Sequence, residues 1–188
     1  IKAGVLASLN KAEVLKPENP LTIHRIADYY KLWGENKKAI RLYVSLIELS
    51  PSLIGVREQL AELYLREDKT EEATKQLEAI LRSRPTNERA LFVLGGIKRD
   101  LDKPEEAAAH FETVIKINSK FEPAYYELAS IHLFQDRPQK TLETLERAYE
   151  QFKPKFISKF YAGLAHSTLH QFSKSIENLL EAEELAEA

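Results

Sequence analysis

Ile23-x-x-Ile26-Ala27-x-x-Tyr30, then Trp33-Gly34-Glu35-Asn36, then Ala39-Ile40-x-x-Tyr43-x-x-Leu46-Ile47 and finally Pro51 is the stretch that decides the fold. In both halves the apolar residues recur at i, i+3, i+4 and i+7, the period of an amphipathic helix. Gly34 and Asn36 between them supply turn and cap chemistry. The stretch therefore predicts two helices joined by a tight break.

Moving outward, the same chemistry returns every 34 residues. Small residues form one series, Ala27, Ala61, Gly95, Ala129 and Gly163, and a second, Ala39, Ala73, Ala107, Thr141 and Ser175, which extends back to Val5. Large apolar residues accompany them at Ile26, Leu60, Leu94 and Leu128, and at Leu9, Tyr43, Leu77, Phe111, Leu145 and Leu179. Pro17, Pro51 and Pro85 close the early units. Self-similarity in a fixed register is the mark of a repeat array. The small series serve close helix approach: Ala27 and Ala39 are predicted to lie where the helices of one hairpin cross.

Further breaks are expected at Glu67-Asp68-Lys69-Thr70, Leu101-Asp102-Lys103-Pro104 and Gln135-Asp136-Arg137-Pro138. Pro104 and Pro138 suit the first turn of a second helix, where a missing N–H costs little, and Glu71, Glu72, Glu105 and Glu106 favour its dipole. No stretch alternates with period two. The expectation is an all-α chain of ten full helices and a leading one over Lys2–Leu15. Its units run 20–53, 54–87, 88–121, 122–155 and 156–188, after a partial unit over 1–19.

Composition narrows the function classes. With 30% charged and 44% hydrophobic residues, neither a disordered nor a membrane chain is indicated. A formal net charge of −2, with both signs interleaved, lacks the footprint of a phosphate-backbone binder, so nucleic acid is not the expected partner. Lys153, Lys155 and Lys159 around Pro154 are the only basic cluster of note, and Glu146 and Glu150 lie beside it. The absence of cysteine removes disulfides and thiolate sites and leaves the compartment open. A soluble, cytoplasmic location is the expectation ahead of a periplasmic or secreted one. No apolar run nears a membrane span, and the opening Ile1-Lys2-Ala3 has neither a start methionine nor a signal layout, which points to a fragment of a longer protein.

The 34-residue helix-turn-helix unit resembles the tetratricopeptide repeat, carried most clearly by Leu60-Ala61-x-x-Tyr64, Ala73-x-x-x-Leu77 and Pro85. Lys98, His132 and His166 depart from it where the pattern has tyrosine, and Leu46, Ile80 and Val114 where it has alanine. The resemblance implies a right-handed α-solenoid of stacked antiparallel hairpins. Its inner, concave wall would be lined by the first helix of each unit and would bind a partner peptide or helix. The family's best-known binding mode, a two-carboxylate clamp of lysines, asparagines and an arginine, is not carried by this chain, whose corresponding stripe holds His24, Arg25, Asp28, Glu58, Gln59 and Glu62. Further along, this stripe becomes Phe92 with Val93, Tyr126 with Leu133 and Phe134, and Phe160, Tyr161 and Leu164. The candidate partner-binding residues are therefore Phe92, Tyr126, Phe134, Phe160, Tyr161 and Leu164, with Arg25, Glu58 and Glu62 at the polar end. The bland alternative is that each aromatic packs against the neighbouring unit.

The reading is a non-catalytic scaffold with no cofactor and no metal. His132, His166 and His170 are the one histidine cluster that repeat geometry could gather, but no HExxH or paired carboxylate accompanies them. Gly95-Gly96 lies inside a helix and opens no phosphate loop. The competing hypothesis is self-assembly through open ends, Val5, Leu6 and Leu9 at one and the helix Ser175–Ala188 at the other.

Overall fold

The turn at Gly34 sets the pattern for the whole chain. The computed structural model describes residues 2–14 and 19–187, and within the first helix the side chains of residues 4, 5 and 7–12. Pro17, Leu15 and the Leu6 side chain lie outside the described residues. Among the described residues there are eleven helices and no strand. The chain divides into two units, Ile1–Pro85 and Thr86–Ala188.

The first unit holds α1 (Lys2–Val14), α2 (Pro20–Leu32), α3 (Asn36–Leu49), α4 (Ile54–Arg66) and α5 (Thr70–Ser83). The Asn19 side chain caps α2 by accepting from the Leu21 N–H at 2.8 Å, with Pro20 in the first turn where its missing donor is harmless. At the other end Gly34 adopts φ +77°, the Glu35 N–H returns to Tyr30 O at 2.9 Å, and the Gly34 N–H to Lys31 O at 3.1 Å. These two bonds are the Schellman closure of a helix C-terminus, which requires a left-handed residue. A turn this short forces α2 and α3 antiparallel, and α4 and α5 repeat it with Asp68 at φ +57°.

The core of this unit is Leu9, Ile23, Ile26, Ala27, Tyr30, Ala39, Tyr43, Leu46, Val56, Leu60 and Leu63, and Trp33 packs against it beside the turn. Tyr30 and Tyr43 are fully buried, so their hydroxyls need partners. Tyr30 donates to Asn10 Oδ1 at 2.8 Å and Tyr43 to Asp28 Oδ1 at 2.5 Å. Leu9 is buried where α1 lies on α2, which corrects the expectation that α1 exposes it, while Val5 is half-buried beside it.

The second unit holds α6 (Glu88–Asp100), α7 (Pro104–Ile117), α8 (Glu122–Phe134), α9 (Pro138–Tyr149), α10 (Phe156–Thr168) and α11 (Phe172–Glu187). Pro104 and Pro138 occupy the first turns of α7 and α9. Asp102, Asp136 and His170 hold φ of +56°, +54° and +57° at the positions equivalent to Gly34, each with the same pair of closing bonds. α11 begins three residues before Ser175, where the sequence placed it, because His170 ends the turn and Phe172 already belongs to the helix.

The small residues form the contact between paired helices. A Cβ on Gly95 would lie 2.7 Å from Phe111 Cε1, and one on Gly163 2.7 Å from Leu179 Cγ. Gly95 and Gly163 thus each receive the large residue 16 positions later. The second small series meets the first directly. The Thr141 hydroxyl donates to Ala129 O at 3.3 Å and the Ser175 hydroxyl to Gly163 O at 2.9 Å. Ala27, Ala39, Ala61, Ala73, Ala107 and Ala129 are all buried. Leu46, Ile80 and Val114 are buried too, so their bulk is accommodated inside the hairpins.

Candidate protein-interaction surface

The first helices α6, α8 and α10 of the second unit share one face, and between them lies a cavity of about 710 Å³. Its floor is α8, where Ser130 and Ile131 are buried. Tyr126 and Phe134 rise from the same helix, while α10 supplies Ile157 and Tyr161 one helical turn apart. Arg99 of α6 and Glu127 of α8 pair at the rim. The volume falls in the range of ligand-binding clefts, and apolar walls are combined there with a few polar groups.

Phe134 is 86% exposed at the end of α8, the most exposed large apolar side chain among the described residues. Water around a bare ring is costly, so burying it would be favourable. Tyr126 and Tyr161 lie half-buried against the Ala129, Leu145 and Ala162 cluster, and both line the cavity. The Tyr126 hydroxyl donates to Glu122 Oε1 at 2.7 Å, and burial together with that carboxylate pushes its ionisation far above the ordinary phenol range. Burial, and then the charge of Glu127, also raise Tyr161. Both phenols stay neutral donors at any physiological pH. Glu122 itself is held below the usual carboxylate range: burial opposes this, but Lys155 Nζ at 2.6 Å and the Tyr126 hydroxyl outweigh it.

Of the residues the sequence singled out, Tyr126, Phe134 and Tyr161 come together on this cavity. Phe92 does not. Its ring packs 5.4 Å from Phe111 and 5.0 Å from Phe121, inside the α6–α7 hairpin and its following loop. Phe160 stacks on Phe156 at 5.7 Å, and Leu164 is half-buried further along α10. In the first unit, Arg25 is exposed on α2, Glu58 is half-buried on α4, and Glu62 pairs with Lys31 at 2.9 Å and Arg66 at 2.7 Å. Arg99, Glu127, Ser130, Ile131, Gln135 and Ile157 line the cavity without having been singled out. The signal for Ile157 was its place one turn before Tyr161.

The histidines do not assemble. His170 sits in the turn after α10, so it is not on a helical face with His166, whose Nδ1 lies 2.7 Å from Gln171 Oε1. His132 has a buried Nδ1 without a partner, and burial followed by the nearby Lys140 and Arg137 lowers its pKa. Among the described residues no three His, Cys, Asp or Glu side chains are placed to hold a metal ion. Of the three clustered lysines, Lys155 is paired with Glu122 and Lys159 with Glu181 at 2.6 Å. Among the described residues no helix is long and apolar enough to cross a membrane.

Residues 88–121, the α6–α7 hairpin with its following loop, match the tetratricopeptide repeat family model. No curated protein sequence matches the chain. Among solved structures, a crystal structure of MamA is 20% identical with a TM-score of 0.79, covering 86% of this chain and 95% of that one. A MamA double mutant is 15% identical with a TM-score of 0.81, over 91% and 96% of the two chains. A structure of YrrB, described as a tetratricopeptide protein with an unusual peptide-binding site, is 19% identical with a TM-score of 0.74, over 94% and 91%. At these identities the likeness is one of fold.

Proposed function

We propose that this chain, a tetratricopeptide-repeat protein by its residues 88–121 and by its fold, is a non-catalytic scaffold that binds a peptide segment or amphipathic helix of a partner protein between α6, α8 and α10. The observation that carries the reading is the cavity of about 710 Å³ with Phe134 standing bare at its edge. An apolar side chain of the partner fills the space between Phe134, Ile131 and Ile157. The neutral hydroxyls of Tyr126 and Tyr161 and the Arg99–Glu127 pair meet the polar backbone around it. YrrB, with the same fold, is described as a protein with a peptide-binding site, which supports a peptide ligand for this chain.

Displayed peptides selected on the wild-type chain provide the test. Phe134→Ala is the clean variant because the side chain makes little internal contact. The selected peptide is expected to bind it at least tenfold more weakly, about 1.4 kcal/mol, while helicity by circular dichroism stays unchanged. Equal affinity for wild type and Phe134→Ala contradicts the assignment.

A further inference from the structure

Charge is distributed unevenly around the cavity between α6, α8 and α10. Among the described residues that line it, Arg99 is the only cation, and its guanidinium is already engaged by Asp100 at 3.0 Å and by Glu127. Asp102 lines the same cavity from the turn after α6. It is exposed and makes no ion pair or side-chain hydrogen bond among the described residues. The nearby cations do not restore the balance: Arg137 is held by Glu105 at 2.8 Å, and Lys98 and Lys103 both turn to Glu106. The rim therefore carries an excess of negative charge, and Asp102 is the carboxylate left without a counterion.

That carboxylate stands at the same edge as the bare Phe134 ring. Glu105, one residue after Pro104, accepts from Gln135 Nε2 and from Arg137 Nη2, which pins the α6–α7 turn beside the end of α8. Lysine and arginine suit such a pair. Their stems cover apolar surface while the charged head stays at its edge, and the face of an aromatic ring attracts a cation. A carboxylate without a partner then takes the head in a charge-assisted hydrogen bond. An acidic segment meets repulsion at the same place.

Resting on the reading of the cavity as the docking site, we propose that it selects a partner segment in which lysine or arginine lies close in sequence to the apolar side chain that fills it. The cation is held by Asp102 against the Phe134 ring, so Asp102 determines which segments the cavity accepts.

The probe is the tightest binder selected on the wild-type chain from a displayed random-peptide library, labelled and titrated by fluorescence anisotropy. Asp102 holds φ +56°, a left-handed value that asparagine tolerates. Asp102→Asn thus removes the charge and keeps the turn, and its circular dichroism matches wild type. The peptide is expected to carry lysine or arginine near its apolar residue. Asp102→Asn in the chain, or glutamine in place of that basic residue in the peptide, weakens binding about three- to fivefold, as for an ion pair at an interface rim. Made together, the two changes weaken it no more than either alone. A peptide that loses affinity on Phe134→Ala but binds wild type and Asp102→Asn equally, or two losses that add, overturns the selectivity and leaves the cavity reading standing. A peptide indifferent to Phe134→Ala, or failure to select any binder, removes the cavity reading and the selectivity with it.

Discussion

The two units carry one backbone repeat and present two different first-helix surfaces. In the first unit Lys31 of α2 reaches across to Gln59 and Glu62 of α4, and Arg66 closes on Glu62, so the face is tied down by polar links. In the second unit Arg99 and Glu127, at the registers of Lys31 and Gln59, make the same link between α6 and α8. One repeat later those registers hold Leu133 and Tyr161, which cannot form an ion pair, and Tyr161 lines the cavity. Two side-chain positions on a fixed scaffold thus decide whether neighbouring first helices are linked by charge or meet through apolar and aromatic groups.

The units also differ in their rungs, alanine in the first and glycine at 95 and 163 in the second, and this contrast can be broken by substitution. The largest effect is expected from Phe111→Ala, which empties the space above Gly95 and costs about 3–5 kcal/mol. Urea unfolding measures it, and a loss below about 1 kcal/mol contradicts the rung. In the first unit the opposite error is available: Ala73→Leu overfills a fully buried site and is expected to cost about 1–3 kcal/mol. A melt unchanged by Ala73→Leu counts against the packing.

A smaller and more discriminating pair lies within α6. Gly96 has no atom within 4 Å of a built Cβ, so Gly96→Ala is expected to raise stability by about 0.5–1 kcal/mol through helix propensity alone. Gly95→Ala, one residue away, meets the buried Phe111 ring and is expected to lower it. Denaturant midpoints of the same sign for both variants contradict the close approach.

The smallest effect concerns pH. His132 stands where the first unit has Tyr30 and Tyr64, and its folded-state pKa lies below the ordinary 6.5 because burial, then Lys140 and Arg137, disfavour the cation. The unfolded chain therefore binds the proton more readily. The stability that neutral His132 contributes is present above about pH 6.5 and is lost as pH falls through the folded value. His110, lowered by burial and then by Lys98, acts in the same direction. Urea midpoints between pH 7.5 and 5.5 are expected to fall more for wild type than for His132→Tyr, which restores the first unit's residue. Equal slopes contradict the assignment.

The hairpins were legible because packing imposes the same demand at every recurrence: a ring or branched chain at 43, 77, 111, 145 and 179 needs a small partner at 27, 61, 95, 129 and 163. The left-handed turn residues were legible only in part. Gly34 declares itself, while Asp68, Asp102, Asp136 and His170 disclose their backbone only through their spacing from it. The site was less legible for a related reason. Periodicity places Phe92, Phe134 and Phe160 on first helices alike, but not which neighbour each ring turns to. Phe92 finds Phe111 and Phe121, Phe160 finds Phe156, and Phe134 finds solvent.

The central claim is that the face between α6, α8 and α10 receives the partner. Amide chemical-shift mapping of the isotope-labelled chain against a selected peptide tests it most directly. The account predicts the largest shifts at Tyr126, Ser130, Phe134, Ile157 and Tyr161, with the outer residues of α7 and α9 silent. Shifts concentrated on the second helices, with those five residues unmoved, contradict it.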